Sequence, residues 1–289
     1  MASTTVHQKE LRKENIDQMV KGFALQSYTM RDLVMVNRSN SWKETYFQED
    51  AEELKASGTR NIKGVPRLAN FPYAEVNWEK KTSVMEKYAL EGTIAYEDWL
   101  TNEIDVIART LLRIGRGIAK QVDEEIYSVL SEDGSPENIN NIAIEDGNEW
   151  NSDTVANRNP FGDILKAIRE MQKHNYDPYT NETFLVLNPT DFANMMDNEK
   201  IQRMFTEEIG RNGRVGRLAG VTVKVSNTVP DDEALVAISG MCGTWKEVVP
   251  LTTNTTENPG ISWTIKAWEI GVTQLTNPKA VTLITNTQE

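Results

Sequence analysis

One stretch limits what this chain can become: YEDWLTNEIDVIARTLLRIGRGIAKQVDEEIYSVL, from Tyr96 to Leu130. Apolar side chains recur at Leu100, Ile104, Ile107, Ala108, Leu111, Ile118, Ala119, Val122, Ile126 and Val129, the three-then-four spacing that draws one stripe down a helix. At 1.5 Å rise per residue an unbroken helix here runs on the order of 50 Å, longer than a small domain is wide. Such a helix needs a large surface to cover its stripe, which predicts a spine and not a compact bundle. Glu97, Asp98, Glu103 and Asp105 suit the positive end of the helix dipole, whereas Asp123, Glu124 and Glu125 sit against the negative end and need a partner elsewhere or solvent. Gly115 and Gly117 each cost up to about 1 kcal/mol against Ala in a helix. Two readings stand for them: a bend or close backbone packing, and simply tolerated glycine.

The 289 residues are enough to bury a core in one large or two modest domains. A net charge of -12 argues against a protein that grips nucleic acid by neutralising phosphates. The surplus acid is concentrated in the second half of the spine stretch and the loop after it. Cys242 is the only cysteine, so no internal disulfide and no thiolate metal cluster can form within one chain, and synthesis in a reducing cytoplasm is expected. The N-terminus carries charges throughout and does not read as a secretory signal. No run approaches eighteen apolar residues, so no membrane helix is expected.

In chain order, residues 1–54 show helical spacing at Ile16, Met19, Val20 and Phe23, then LVMV at Leu33 to Val36, then Trp42, Tyr46 and Phe47. They are expected as an N-terminal arm that packs on other material, with a partly disordered terminus as the other reading. Residues 55–95 alternate in period two over Val76 and Trp78, and again over Val84, Tyr88 and Leu90, which predicts an extended hairpin turning near Lys80-Lys81. An isolated two-stranded hairpin is marginal in water, so it is expected to rest on a neighbour or else to be a sheet edge of the same domain. Glu132 to Asn159 reads as a surface excursion. NPFGDILKAIREMQKHNY opens with Asn159 as a cap and Pro160 in the first turn of a helix striped by Ile164, Leu165, Ile168 and Met171. The strand FLVL and a helix from Pro189 follow, and the tail from Gly243 is nearly all β, expected to return beside the spine. Helix, strand and helix in quick succession mark an α+β fold.

The search for chemistry finds little. His7 and His174 lie in the arm and at a helix end, HExxH and GxSxG are absent, and Gly115, Gly117 and Lys120 do not satisfy a phosphate-loop pattern. Asp231-Asp232-Glu233 after Val-Pro reads first as a solvated turn, and Cys242 as an inert thiol. Gly210-Arg211, Gly213-Arg214 and Gly216-Arg217 repeat at three-residue steps. Phosphate contact is one reading of that repeat and a mobile loop is the other. No catalytic residue, cofactor or metal is expected, and the chain reads as structural.

The order of parts carries a resemblance over about residues 40–289: the hairpin, the spine ending in AKQVDEEIYSVL, the unit with FLVLNPTDF, RLAGVTVKVSNTVPDD, and the β-rich return ending in NPKAVTLIT. In this order the chain resembles the major capsid protein of tailed bacteriophages, the Hong Kong 97-like fold. Its most specific portions are Ala119 to Leu130 and Arg217 to Asp232. The resemblance implies an arm (1–54), an extended hairpin (55–95) lying across the adjacent subunit, a peripheral domain (96–160 and 241–289) and an axial domain (161–240). It further implies hexamers and pentamers in an icosahedral shell around double-stranded DNA held without sequence-specific binding. The chain would then be a virion component, assembled in the host cytoplasm. The assembly contacts are then Trp78, Lys80, Lys81 and Tyr88 on the hairpin and Arg211, Arg214 and Arg217 on the glycine-arginine loop. Lys80, Lys81 and Asn277 are of the types that some members cross-link, but no correspondence is drawn. Fewer than about fifty residues precede the hairpin, so a separate scaffold protein is expected, with a portal and decoration proteins as further partners. An encapsulin-type nanocompartment shell and a small acidic α+β enzyme are the alternatives.

Overall fold

The computed structural model describes residues 13–49, 66–70, 78–101, 106–205 and 216–289. Its first half runs through α1 (Lys13–Leu25), β1 (Met35–Arg38), β2 (Lys43–Glu49), β3 (Trp78–Val84), β4 (Glu86–Ala95), α2 (Tyr96–Thr101), α3 (Val106–Ser131) and β5 (Asn140–Ala143). Then come α4 (Pro160–Lys173), β6 (Thr183–Leu187), α5 (Pro189–Met196), α6 (Glu199–Met204), β7 (Arg217–Leu218), β8 (Val221–Val225) and β9 (Glu233–Ile238). The hairpin β10 (Gly243–Asn258) and β11 (Ser262–Leu275) and the last strand β12 (Val281–Thr285) end the chain.

The expected spine is present as α3, with α2 before it; Ile104 lies outside the described residues. Ile107, Leu111, Ile114, Ile118, Val122, Ile126 and Leu130 form the buried stripe. Each such aliphatic side chain taken fully from water contributes about 1.5–3 kcal/mol, so this face outweighs any propensity cost of the glycines. Leu100, expected in the stripe, is instead exposed on α2.

The N-terminal segment, expected to rest on other material, packs differently. Residues 13–38 pack on their own chain: Ile16, Val20 and Ala24 of α1 are buried against α3, and β1 pairs in parallel with β10 from Met35↔Thr244 to Arg38↔Glu247. Gly115 makes this approach close, because a Cβ there would lie 3.1 Å from the Val20 carbonyl oxygen and 3.2 Å from the Ala24 nitrogen. Close backbone packing is therefore the role of that glycine.

α1 and α3 lie on one face of a four-stranded sheet ordered β1-β10-β11-β4. Ile94 of β4 and Ile265 and Ala267 of β11 are buried under the helices, so the tail does return beside the spine. The hairpin expected around Lys80-Lys81 is built otherwise. Both lysines are mid-strand in β3, opposite Phe47 and Tyr46 of β2, in an antiparallel ribbon running from Lys43↔Val84 to Glu49↔Trp78. Met85 is buried at the corner, and β4 leaves the ribbon to pair with β11. A tight hairpin turn needs residues that accept positive φ, such as Asn-Gly, and Lys-Lys supplies none.

The second sheet has six strands ordered β5-β12-β9-β6-β8-β7. β6 is buried at every residue, as a strand covered on both faces must be, and α4 lays Ile164, Ala167, Ile168 and Met171 on the sheet. Pro160 starts α4 as expected, but the Asn159 side chain makes no capping bond. Asn188 and Asn198 do cap α5 and α6, accepting from Thr190 N at 2.9 Å and Lys200 N at 3.0 Å. The excursion after α3 is also more structured than its composition suggests. Its strand β5 pairs with β12, and Trp150 is fully buried, its indole N–H donating to Asp163 Oδ2 at 3.2 Å.

Candidate assembly surfaces

The β2–β3 ribbon has two unlike faces, set by the alternation of its strands. One face turns to the chain's own body: Glu44, Tyr46 and the buried Gln48 from β2, with Ser83, whose hydroxyl accepts from Gln274 Nε2 at 2.7 Å. The other carries Phe47, Val84 and Lys80, with Trp42 at its base; Phe47 is 57% and Trp42 56% exposed. Large apolar groups held outward on a two-stranded ribbon mark a contact surface. The sequence signal for it was the aromatic run at residues 42–47, which reads as outward-facing only once β2 and β3 are paired.

The ribbon is rooted beside a buried ionic cluster that no sequence motif announced. Arg31 donates to Glu269 Oε1 and to Glu247 Oε1, each at 2.9 Å, and its guanidinium stacks 4.8 Å over the Tyr28 ring. The Tyr28 hydroxyl donates to Glu269 Oε2 at 2.6 Å. Burial pushes the Glu269 carboxyl up from the usual range, and Arg31 and Tyr28 pull against that shift. Next to the cluster, Asp123 of α3 accepts from Thr29 N at 2.7 Å and Met30 N at 3.2 Å. Here is the partner that the spine's second acidic group required. Burial raises the Asp123 carboxyl to about 6 despite those two bonds. Together these groups tie the segment between α1 and β1 to both the spine and the long hairpin. An open pocket of about 230 Å³ lies alongside, bounded by Lys21, Leu25, Tyr28, Arg31, Glu247 and Leu251.

The candidate contacts from the sequence scatter. Lys80 is exposed on the outward ribbon face, while Lys81 points back and pairs with Glu79 at 3.5 Å. Trp78 opens β3 opposite Glu49. Tyr88 is half-buried in its own subunit, its ring 6.0 Å from that of Trp245 and its hydroxyl donating to Glu86 at 3.3 Å. Arg217 is exposed on β7, the edge strand of the six-stranded sheet; Arg211 and Arg214 lie outside the described residues. Cys242 is buried with its thiol pushed up to about 12 by desolvation, a state that keeps it protonated and unreactive. Asp232 and Glu233 are structural acceptors, the first for Gln288 N at 2.9 Å and the second for the Tyr127 hydroxyl at 2.5 Å. Among the described residues no three His, Cys, Asp or Glu side chains are placed to hold a metal, and no helix is long and apolar enough to cross a membrane.

A spine helix under a long-stranded sheet, a ribbon standing off it and a second six-stranded module define the Hong Kong 97-like capsid subunit, an α+β fold. Solved structures agree across nearly the whole chain. The capsid of the cyanophage P-SCSP1u matches with TM-score 0.65 at 14% identity, covering 89% of this chain and 88% of that one. A protein of Mycobacterium phage Che8 gives 0.64 at 16%, covering 91% and 92%. The virus-like particle from Pyrococcus furiosus gives 0.64 at 12%, covering 94% and 98%. No curated protein matches by sequence. At these identities the neighbours show the fold, and the family comes from the sequence profile of the phage capsid proteins, which matches residues 79–284. The chain belongs to the phage capsid protein family. It is a major capsid protein, a self-associating structural subunit of an icosahedral phage shell, and the profile match favours this over an encapsulin-type compartment.

Proposed function

We propose that the chain assembles as hexamers and pentamers around double-stranded DNA, with the β2–β3 ribbon lying across the adjacent subunit. The module of the four-stranded sheet, α1 and α3 serves as the peripheral domain. The six-stranded sheet with α4, which also takes in β5 and β12, turns toward the capsomer axis. Lys80 and Trp78 contribute to the ribbon contact, and Arg217 with Arg211 and Arg214 to contacts near the axis. A separate scaffold protein, a portal and decoration proteins complete the particle, which assembles in the host cytoplasm.

The observation that carries this reading is the outward ribbon face, where Phe47 and Val84 stay uncovered although the opposite face is seated on the subunit's own body. The test replaces residues 45–82 by a short Gly-Ser linker, which spares β4 and the buried Met85. Size-exclusion chromatography with light scattering and negative-stain microscopy are run beside the parent chain. The parent chain is expected to form megadalton particles and the variant a folded subunit that closes no shell. Shells of normal size from the variant would refute the ribbon's role.

A further inference from the structure

The outer face of the spine helix carries a feature at odds with the chain's overall charge. Arg109, Arg113, Arg116 and Lys120 are all exposed on α3. They stand four, three and four residues apart, which at 3.6 residues per turn keeps them within about 60° of arc and spreads them over roughly 16 Å of the axis. Four cations in a line are conspicuous in a protein of net charge -12. Among the described residues Lys120 pairs with Glu124 at 3.3 Å, and Arg109, Arg113 and Arg116 have no ion pair. Among the described residues, therefore, no acid of their own subunit pairs with the three arginines.

We propose that this stripe is a docking surface for the phosphate backbone of the enclosed duplex, and that the helix face of the peripheral module consequently lines the lumen. The inference rests on the shell reading above. Three features select a polyanionic strand over a protein. A protein interface needs an apolar centre inside its polar rim, and none of the exposed large hydrophobic side chains among the described residues belongs to α3. The ribbon face, by contrast, has that apolar centre. Three of the four cations are arginines, whose planar fork matches phosphate oxygens better than an ammonium does. The roughly 16 Å they span along the axis covers about five phosphates of one strand at about 3.4 Å each. Attraction at contact range survives the negative net charge because more distant charges are screened beyond about 10 Å at 0.1 M salt.

The test uses the full chain kept unassembled and a fluorescent 20-base-pair duplex, with anisotropy measured at several salt concentrations. Four phosphate contacts predict a log K against log salt slope of about -3.6, a loss of about 150-fold from 50 to 200 mM. The triple variant Arg109→Gln, Arg113→Gln, Arg116→Gln is expected to fall to a slope of about -0.9, about 3.5-fold over the same range. The triple Arg→Lys variant keeps most of the slope. If the triple Gln chain fails a circular dichroism check of folding, Arg113→Gln alone is expected to reduce the slope by about 0.9. Equal affinity and slope for the parent and Gln chains, or no duplex binding by the parent at 20 mM salt, overturns the proposal. So does tighter binding of polyglutamate than of duplex, which would assign the stripe to an acidic protein segment. Light scattering of the parent chain under assembly conditions separates the two failures. Particles without duplex binding sink only the stripe, whereas absence of particles even beside a candidate scaffold protein sinks the shell reading itself.

Discussion

Replacing Arg31 by Met tests how firmly the ionic cluster ties the segment between α1 and β1 to the long hairpin β10–β11. The side chain of Arg31 is 16% exposed, that of Glu247 9% and that of Glu269 0%. With the guanidinium gone, two carboxylates stay in place with little water and only Tyr28 still donates to Glu269. Breaking a buried pair by removing one partner costs about 3–5 kcal/mol. The surviving Tyr28 bond argues for the lower end, so about 3 kcal/mol is expected. Urea unfolding of the unassembled chain, followed by circular dichroism and tryptophan fluorescence, reads the loss as a lowered midpoint at unchanged slope. Adding Glu247→Gln and Glu269→Gln removes the uncompensated charge and is expected to recover most of the loss, a coupling that independent sites would not show. A cost under about 1 kcal/mol for Arg31→Met would mean that solvent reaches the carboxylates, contrary to an argument built on their burial.

Two further outcomes follow from α3. The Asp123 carboxyl stands at about 6 in the folded chain against 3.8 for the free group, so the folded state binds the extra proton. Its contribution is fully present below pH 4 and is lost as pH rises through 6, roughly 3 kcal/mol in all. Stability of the parent chain relative to Asp123→Asn should therefore fall between pH 4 and 7, and parallel stability curves would contradict this. Gly115→Ala gains about 1 kcal/mol of helix propensity but sets a methyl 3.2 Å from Phe23 Cβ and against the backbone of α1. Overpacking of this kind costs about 1–3 kcal/mol, so a lower melting temperature is expected, and a higher one would show that α1 shifts freely.

The spine was readable because its signal is local. A stripe at helical spacing over more than twenty residues has few other solutions, and α3 buries that stripe under a sheet formed by the returning tail. The succession of helix and strand from Pro160 onward was readable for the same reason. Ile16, Val20 and Phe23 also announced a helix, but a short amphipathic helix does not say what covers it. That it docks on Gly115 of its own chain became visible only when α1 and α3 were brought together. Alternation does not locate the ribbon, because period two marks strands without naming their partners. The pairing of β3 with β2, and of β4 with β11, joins segments that alternation alone cannot connect.

What the sequence determined by itself is therefore the set of elements, the α+β class and an order of parts that resembles a capsid subunit, since these rest on local periodicity and on the layout of the chain. The tertiary structure decided the contacts. Arg31 meets Glu247 and Glu269 across 216 and 238 residues of chain, Tyr88 turns inward to Trp245, and Phe47 is left uncovered on the ribbon. Burial and charge pairing depend on distance in space, and only the folded chain fixes which distant residues become neighbours.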